Sequence, residues 1–202
     1  MKQIQDAYIV AATRTPIGKS YKGFFRNYRP DDLLATTLKA ALAQVPGLDP
    51  AAIEDIICGC AIPEAQQGLN VARISAVLAG LPTSVGGITV NRFCASGLEA
   101  CNMAAAKVMT GEATMAIGGG VESMSRVPMG SDGGAWPTDP SSAFTTYFVP
   151  QGISADAIAT LYGFSRDDVD AYAVESQRRA AKAWSEARFK KSVLAVKDQL
   201  GL

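Results

Sequence analysis

The stretch that decides the reading is Val90-Asn91-Arg92-Phe93-Cys94-Ala95-Ser96-Gly97-Leu98-Glu99. The apolar run that leads into it, residues 85–90, predicts a short buried strand. The small apolar residues that follow from Leu98 predict a helix. Ser96 and Glu99 have the spacing of a capping box, in which hydroxyl and carboxylate satisfy each other's free backbone N–H groups. The helix is therefore expected to begin at Ser96, with Cys94 just ahead of its unpaired N–H groups. The positive end of a helix dipole favours a thiolate over a thiol, and the thiolate is the nucleophilic form. From these residues alone two readings of Cys94 stand open: a nucleophile for covalent catalysis, or a small buried hydrophobe at a strand–helix junction.

Outward from this point the pattern alternates. Residues 7–12 and 56–62 read as buried strands, and 115–118 as a fourth strand running into the triple glycine Gly118-Gly119-Gly120. Asp31 and Asp32 suit the N-terminus of a helix carrying Leu34, Leu38, Ala41, Leu42 and Val45 at helical spacing, which Pro46-Gly47 ends. Asp49 reads as the cap of a short turn leading to Ile53. A second helix over residues 70–81 is expected to bury Val71, Ile74, Val77 and Leu78. The helix after Cys94 is apolar nearly all round, so burial on several sides is expected, with Cys101 part of that packing. The glycine run lacks Walker spacing and its lysine, which favours close backbone approach over phosphate binding.

The alternation gives an α/β fold, a βαβαβαβ unit with a largely parallel sheet covered on both faces. Reactive groups in such sheets gather at the carboxyl ends of strands, where Cys94 and the triple glycine both fall. Composition changes at residue 126, giving an expected division into residues 1–125 and 126–202. Residues 126–150 read as an extended loop holding Trp136, Phe144, Tyr147 and Phe148. Ser154 is expected to cap a helix that ends at Gly163. Ser165 and Asp168 form another capping-box spacing, ahead of a stripe including Val169, Tyr172, Ala173 and Trp184. Glu175–Arg179 and Glu186–Lys190 read as i,i+4 ion pairs, and residues 192–196 as a short strand.

The 202 residues carry 19 basic and 19 acidic side chains, so the charge balance points to neither nucleic acid nor an anionic membrane as partner. No apolar run is long enough to span a bilayer, and residues 1–6 lack a signal-peptide layout. The 4 cysteines lie in apolar contexts, which suits a reducing, cytoplasmic setting. Cys58 and Cys60 have the spacing of a metal half-site, but no second pair completes it, so packing is the expected role and no metal is implied. With 0 histidines, neither a Cys–His pair nor a Ser–His–Asp triad can be built from this chain alone.

V-N-R-F-C-A-S-G-L-E-A over residues 90–100 resembles the acyl-enzyme segment of the thiolase family. Residues 118–125, G-G-G-V-E-S-M-S, resemble that family's glycine-rich segment, and residues 11–19, A-A-T-R-T-P-I-G-K, resemble its opening motif. Ala95 departs from the serine that many members carry, without touching the nucleophile. The likeness runs from Tyr8 to the last residue and reaches only the N-terminal part of a family chain about twice this length. It implies one of two duplicated α/β halves, incomplete, plus the first part of an inserted, mainly helical loop domain.

The resemblance also implies a chemistry. Cys94 would attack the keto carbon of a 3-oxoacyl-CoA, release acetyl-CoA, and hold the shortened acyl group as a thioester until coenzyme A removes it. The reverse is a Claisen condensation. The backbone N–H of Cys94 is suited to hold an oxyanion. Coenzyme A is substrate and product, and no cofactor is implied. The family's histidine and second cysteine belong to a C-terminal half, which is thus an expected partner, together with assembly as a homodimer or homotetramer. The chain on its own is expected to be inactive and to fold poorly. Pro150-Gln151 stand where short-chain biosynthetic members carry His-Met, so these two are candidate substrate-binding residues and the substrate is expected to be other than, or broader than, acetoacetyl-CoA. A ketoacyl-synthase-type condensing enzyme of the same fold, and a non-catalytic acyl-CoA-binding half-protein, are the alternatives.

Overall fold

The computed structural model describes residues 4–129, 141 and 149–197. These residues fall into two compact units, divided between 131 and 132 and again between 191 and 192. The expected loop aromatics Trp136, Phe144, Tyr147 and Phe148 lie outside the described residues.

The first unit is built on three parallel strands, β1 (Asp55–Gly59), β2 (Gly86–Val90) and β3 (Ala116–Gly120), in the order β2-β1-β3. Three helices connect and cover them: α1 (Pro30–Ala43), α2 (Val71–Leu78) and α3 (Ser96–Met109). Side chains of a strand alternate between faces, and β1 shows the consequence. Ile56 and Cys58 join Leu34, Leu38, Val71, Ala72 and Ala76 in one core beneath α1 and α2. Ile57 turns the other way, onto Ala100 and Ala104 of α3. The sheet is thus covered on both faces, as the alternation predicts. Pro30 opens α1, with Asp31 and Asp32 in its first turn, and Asp49 accepts from the N–H of Ala51 at 2.9 Å in the expected short turn.

Residues 7–12 do not form the expected strand. Tyr8, Ile9 and Val10 are exposed, and the backbone nearby bonds singly, Gln5 N–H to Met109 O at 3.1 Å and Ala12 N–H to Gln44 Oε1 at 3.0 Å. A strand exists only against a ladder partner, and among the described residues none lies beside these six. The closest approach to pairing is one parallel bridge, Arg14 to Val193, which is also all that the expected strand at 192–196 becomes.

Two helices present faces other than those expected. α2 buries Val71, Ala72, Ser75 and Ala76, while Val77 is 58% exposed. The helix lies so close to β2 that a Cβ on Gly87 would come within 2.8 Å of the Arg73 backbone, and only small residues fit that approach. α3 buries Ser96, Ala100 and Ala104, but Leu98 is 68% exposed and Cys101 is also exposed. One side of α3 packs on the sheet. The opposite side has no covering element among the described residues.

The second unit holds α4 (Gln151–Tyr162) and α5 (Arg166–Ser185). α4 begins at Gln151 with Pro150 as its N-cap, so Ser154 is inside the helix and does not cap it. It stops as expected at Gly163, whose φ of 73° lies in the left-handed region open to glycine. The Ser165–Asp168 capping box forms with both bonds in place. The stripe of α5 is not buried: Tyr172 is 80% and Trp184 54% exposed. Glu175 pairs with Arg179 at 2.7 Å, as expected, and with Arg178 as well. Glu186 turns instead to Lys182 and Arg188, because the helix ends at Ser185 and the i,i+4 spacing to Lys190 no longer holds. No helix among the described residues is long and apolar enough to cross a membrane.

Candidate active site around Cys94

β2 ends at Val90, and the chain reaches α3 through a tight 3-10 turn, Phe93–Ala95. Phe93 has φ 48°, in the left-handed region where a bulky side chain is strained by roughly 1–3 kcal/mol. Three hydrogen bonds hold it there. The Phe93 N–H donates to Asn91 Oδ1 at 2.7 Å, the Ser96 hydroxyl donates to Phe93 O at 2.6 Å, and the same hydroxyl accepts from Arg92 N–H at 2.8 Å.

The expected capping box is therefore absent. Ser96 is the first helical residue, at φ −56° and ψ −42°, and its side chain binds back into the turn rather than forward onto Glu99. The left-handed turn brings a backbone N–H and a carbonyl to the hydroxyl, which consumes its bonding capacity. Glu99 reaches Arg92 instead, Oε1 to Nε at 3.0 Å. The helix still begins at Ser96, as expected. Cys94, in the middle of the turn, is exposed, and the reading as a buried hydrophobe is overturned.

The helix start is set down directly on the sheet. A Cβ on Gly59 would run into the Ser96 carbonyl and the Gly97 nitrogen. One on Gly118 would lie 2.7 Å from the Cys101 Cα, and one on Gly120 would lie 2.8 Å from the Gly59 carbonyl oxygen. The carboxyl ends of β1 and β3 are thus a glycine seat for α3, and the expected close approach holds at two of the three glycines. At Gly119 a Cβ would meet nothing within 4 Å.

Behind the seat lies a polar network that no periodicity or spacing in the sequence marks. Gln67 is fully buried. Its Nε2 donates to Glu122 Oε1 at 2.6 Å and to Ile62 O at 2.8 Å, while its Oε1 accepts from Ser123 N–H at 2.6 Å. Glu122 Oε2 accepts from the N–H of Ala61 at 2.6 Å, and Ala61 O accepts from Asn91 Nδ2 at 3.0 Å. A glutamine inside a turn-like polar run gives no periodic signal of burial, so only Glu122, within the glycine-rich motif, was there to be noticed.

Cys58 and Cys60 are buried, as packing requires. Loss of solvent pushes each thiol up to about 12, and the Glu122 charge adds to the effect at both. Cys60 Sγ lies 3.4 Å from Gln67 Nε2 and 3.8 Å from Glu122 Oε1. These are neutral thiols at physiological pH, unsuited to nucleophilic attack. Pro150 and Gln151 are exposed at the start of α4, in the unit that does not contain Cys94.

The family model described as "Thiolase, N-terminal domain" matches residues 7–200. A 3-ketoacyl-CoA thiolase of Bacillus subtilis is 46% identical over 197 residues, covering 96% of this chain and 49% of that protein. A 3-ketoacyl-CoA thiolase of a Shewanella species is 42% identical over 193 residues, covering 96% of this chain and 50% of its own length. A crystal structure of the Bacillus anthracis acetyl-CoA acetyltransferase superposes with a TM-score of 0.82 at 27% identity, covering 98% of this chain and 53% of that one. The chain thus spans about half the length of the relatives it matches. With an exposed cysteine on a strained turn, ahead of a helix seated on glycines at the carboxyl ends of parallel strands, and with this match along nearly its whole length, the chain belongs to the thiolase family.

Proposed function

We propose that this chain supplies the nucleophile-bearing half of a thiolase that cleaves 3-oxoacyl-CoA into acetyl-CoA and a shortened acyl-CoA. The observation that carries this reading is the placement of Cys94: exposed, on a strained turn at the start of α3. The thiolate of Cys94 attacks the keto carbon, and its own backbone N–H is available to the oxyanion that forms. The carbon–carbon bond then breaks, acetyl-CoA leaves after its carbanion is protonated, and the acyl group stays on sulfur as a thioester. The thiol of a second coenzyme A, giving up its proton, takes the acyl group and frees Cys94. Run backwards, the same steps make the carbon–carbon bond of a Claisen condensation.

The base and acid of these steps are assigned to a histidine and a cysteine of a companion C-terminal half, since this chain contains 0 histidines. Assembly as a homodimer or homotetramer, a cytoplasmic setting and a role in fatty acid β-oxidation belong to the same proposal. Support for a broad acyl range comes from the relatives named 3-ketoacyl-CoA thiolase, and from Pro150-Gln151, where no imidazole can lie against the ligand. Co-expression with a polypeptide bearing G-H-P and C-x-G-G-G motifs, followed by a thiolysis assay across acyl chain lengths, tests both parts. The expected outcome is turnover that Cys94→Ala abolishes, and that extends well beyond acetoacetyl-CoA. Turnover that survives Cys94→Ala contradicts the mechanism; a sharp preference for acetoacetyl-CoA contradicts the substrate assignment.

A further inference from the structure

Cys94 is held from behind as well as from its own turn. The Phe93 N–H donates to Asn91 Oδ1, and the other end of the same amide, Nδ2, donates to Ala61 O at 3.0 Å. The N–H of Ala61 in turn donates to Glu122 Oε2 at 2.6 Å. The second oxygen of Glu122 is held by Gln67, which is fully buried and anchored on Ile62 O and Ser123 N–H. An unbroken line of bonds therefore runs from a fixed glutamine in the core to the residue before the cysteine. Glu122 is itself exposed, so this carboxylate is kept in one orientation by its partners and not by packing.

We infer that Glu122, acting through Ala61 and Asn91, is a positioning residue that fixes the left-handed turn at Phe93 and with it the direction of the Cys94 thiol at the start of α3. A phenylalanine at φ 48° relaxes to the ordinary helical or extended regions unless its neighbours prevent it. The amide of Asn91 restrains Phe93 only while that amide is itself oriented, and its second bond, to Ala61, provides the orientation. Ala61 follows a cysteine buried behind β1, but its N–H faces a carboxylate and not a strand. Remove the carboxylate and the Ala61 N–H loses its partner; the backbone torsions at Ala61, which set the direction of its carbonyl, are released, Asn91 loses its reference, and the turn relaxes. The thiol then loses its fixed direction at the start of α3. The inference rests on the proposed role of Cys94 as nucleophile, yet it is tested without any turnover.

The experiment measures the rate of carbamidomethylation by iodoacetamide at Cys94 and at Cys101, by mass spectrometry, across pH, on the full 202-residue chain. Cys101 is exposed on the next turn of the same helix and outside the network, so it serves as an internal reference. Glu122→Ala and Asn91→Ala are each expected to slow the reaction at Cys94 by about tenfold near neutral pH. Cys101 is expected to hold its rate, and Cys58 and Cys60 to stay protected. Glu122→Gln, which keeps one acceptor oxygen, is expected to lie between parent and Glu122→Ala. A Cys94 profile that does not move in a folded variant overturns the inference, as does a parallel change at Cys94 and Cys101. Exposure of Cys58 and Cys60 in all three variants also overturns it, because the network would then be a determinant of the fold itself. An inactive assembly with a shifted Cys94 profile would fail the proposed function and leave this inference standing; an active one with an unmoved profile would do the reverse.

Discussion

At Phe93 a left-handed backbone coincides with a residue that does not favour it, and Asn91 and Ser96 supply the bonds that offset the strain. A capping-box spacing was legible at Ser96 and Glu99, but a spacing states only which groups can meet. The hydroxyl has a better-placed partner behind it once the turn is left-handed, and nothing in ten residues of sequence announces a positive φ at a phenylalanine. The start of the helix was legible and the use of its first side chain was not. The four cysteines sort the same way. Burial of Cys58 and Cys60 followed from their apolar strand, whereas Cys101 was expected in a core and stands exposed. Truncation at an exposed site away from caps and networks changes stability little. Cys101→Ala is therefore expected to shift the urea unfolding free energy by less than about 0.5 kcal/mol. A loss of about 2 kcal/mol would place Cys101 in a core after all.

Elements were legible where composition forces them and misread where a neighbour decides. The parallel sheet, the three helices that cover it and the glycine stop of α4 followed from periodicity and from Gly163. The inward face of α2 did not, because close approach to Gly87 selects small residues over the apolar stripe. The run at 7–12 did not either, because strand formation depends on a partner and not on the run itself. The glycine seat gives a paired prediction. Gly59→Ala drives a Cβ into the backbone of α3 and is expected to cost at least about 2 kcal/mol in urea unfolding, with a lower Cys94 reaction rate. Gly119→Ala meets nothing within 4 Å and is expected to be near neutral.

β1 also carries a pH dependence. Burial raises Cys58 from 9.0 to about 12, so the native state keeps a proton that the unfolded chain releases. Below pH 9.0 both states are protonated and the thiol leaves stability unchanged; from there to about 12 the unfolded state gains and stability falls. Cys58→Ala removes this contribution, so its destabilisation relative to the parent is expected to shrink between about pH 8 and about pH 11 in urea titrations. A constant difference would mean that the thiol titrates alike in both states.

For the molecule as a whole, the likeness to thiolases was legible from three short motifs, two of which are geometric requirements: a cysteine on a turn and glycines where backbones meet. What lies beyond the chain's own residues was not legible in the same way. Tyr8, Ile9, Val10, Leu98 and the stripe of α5 are apolar and exposed here, and a periodic pattern reports that a face is to be covered without reporting by what. In the proposed mechanism Cys94 carries the acyl group. The most direct test is to incubate the assembled enzyme with a 3-oxoacyl-CoA in the absence of free coenzyme A, quench in acid, digest, and map the acyl thioester by mass spectrometry. An adduct on the peptide containing Cys94 is expected, with Cys58, Cys60 and Cys101 unmodified; an adduct on any of those three with Cys94 free would rule out Cys94 as the acyl carrier.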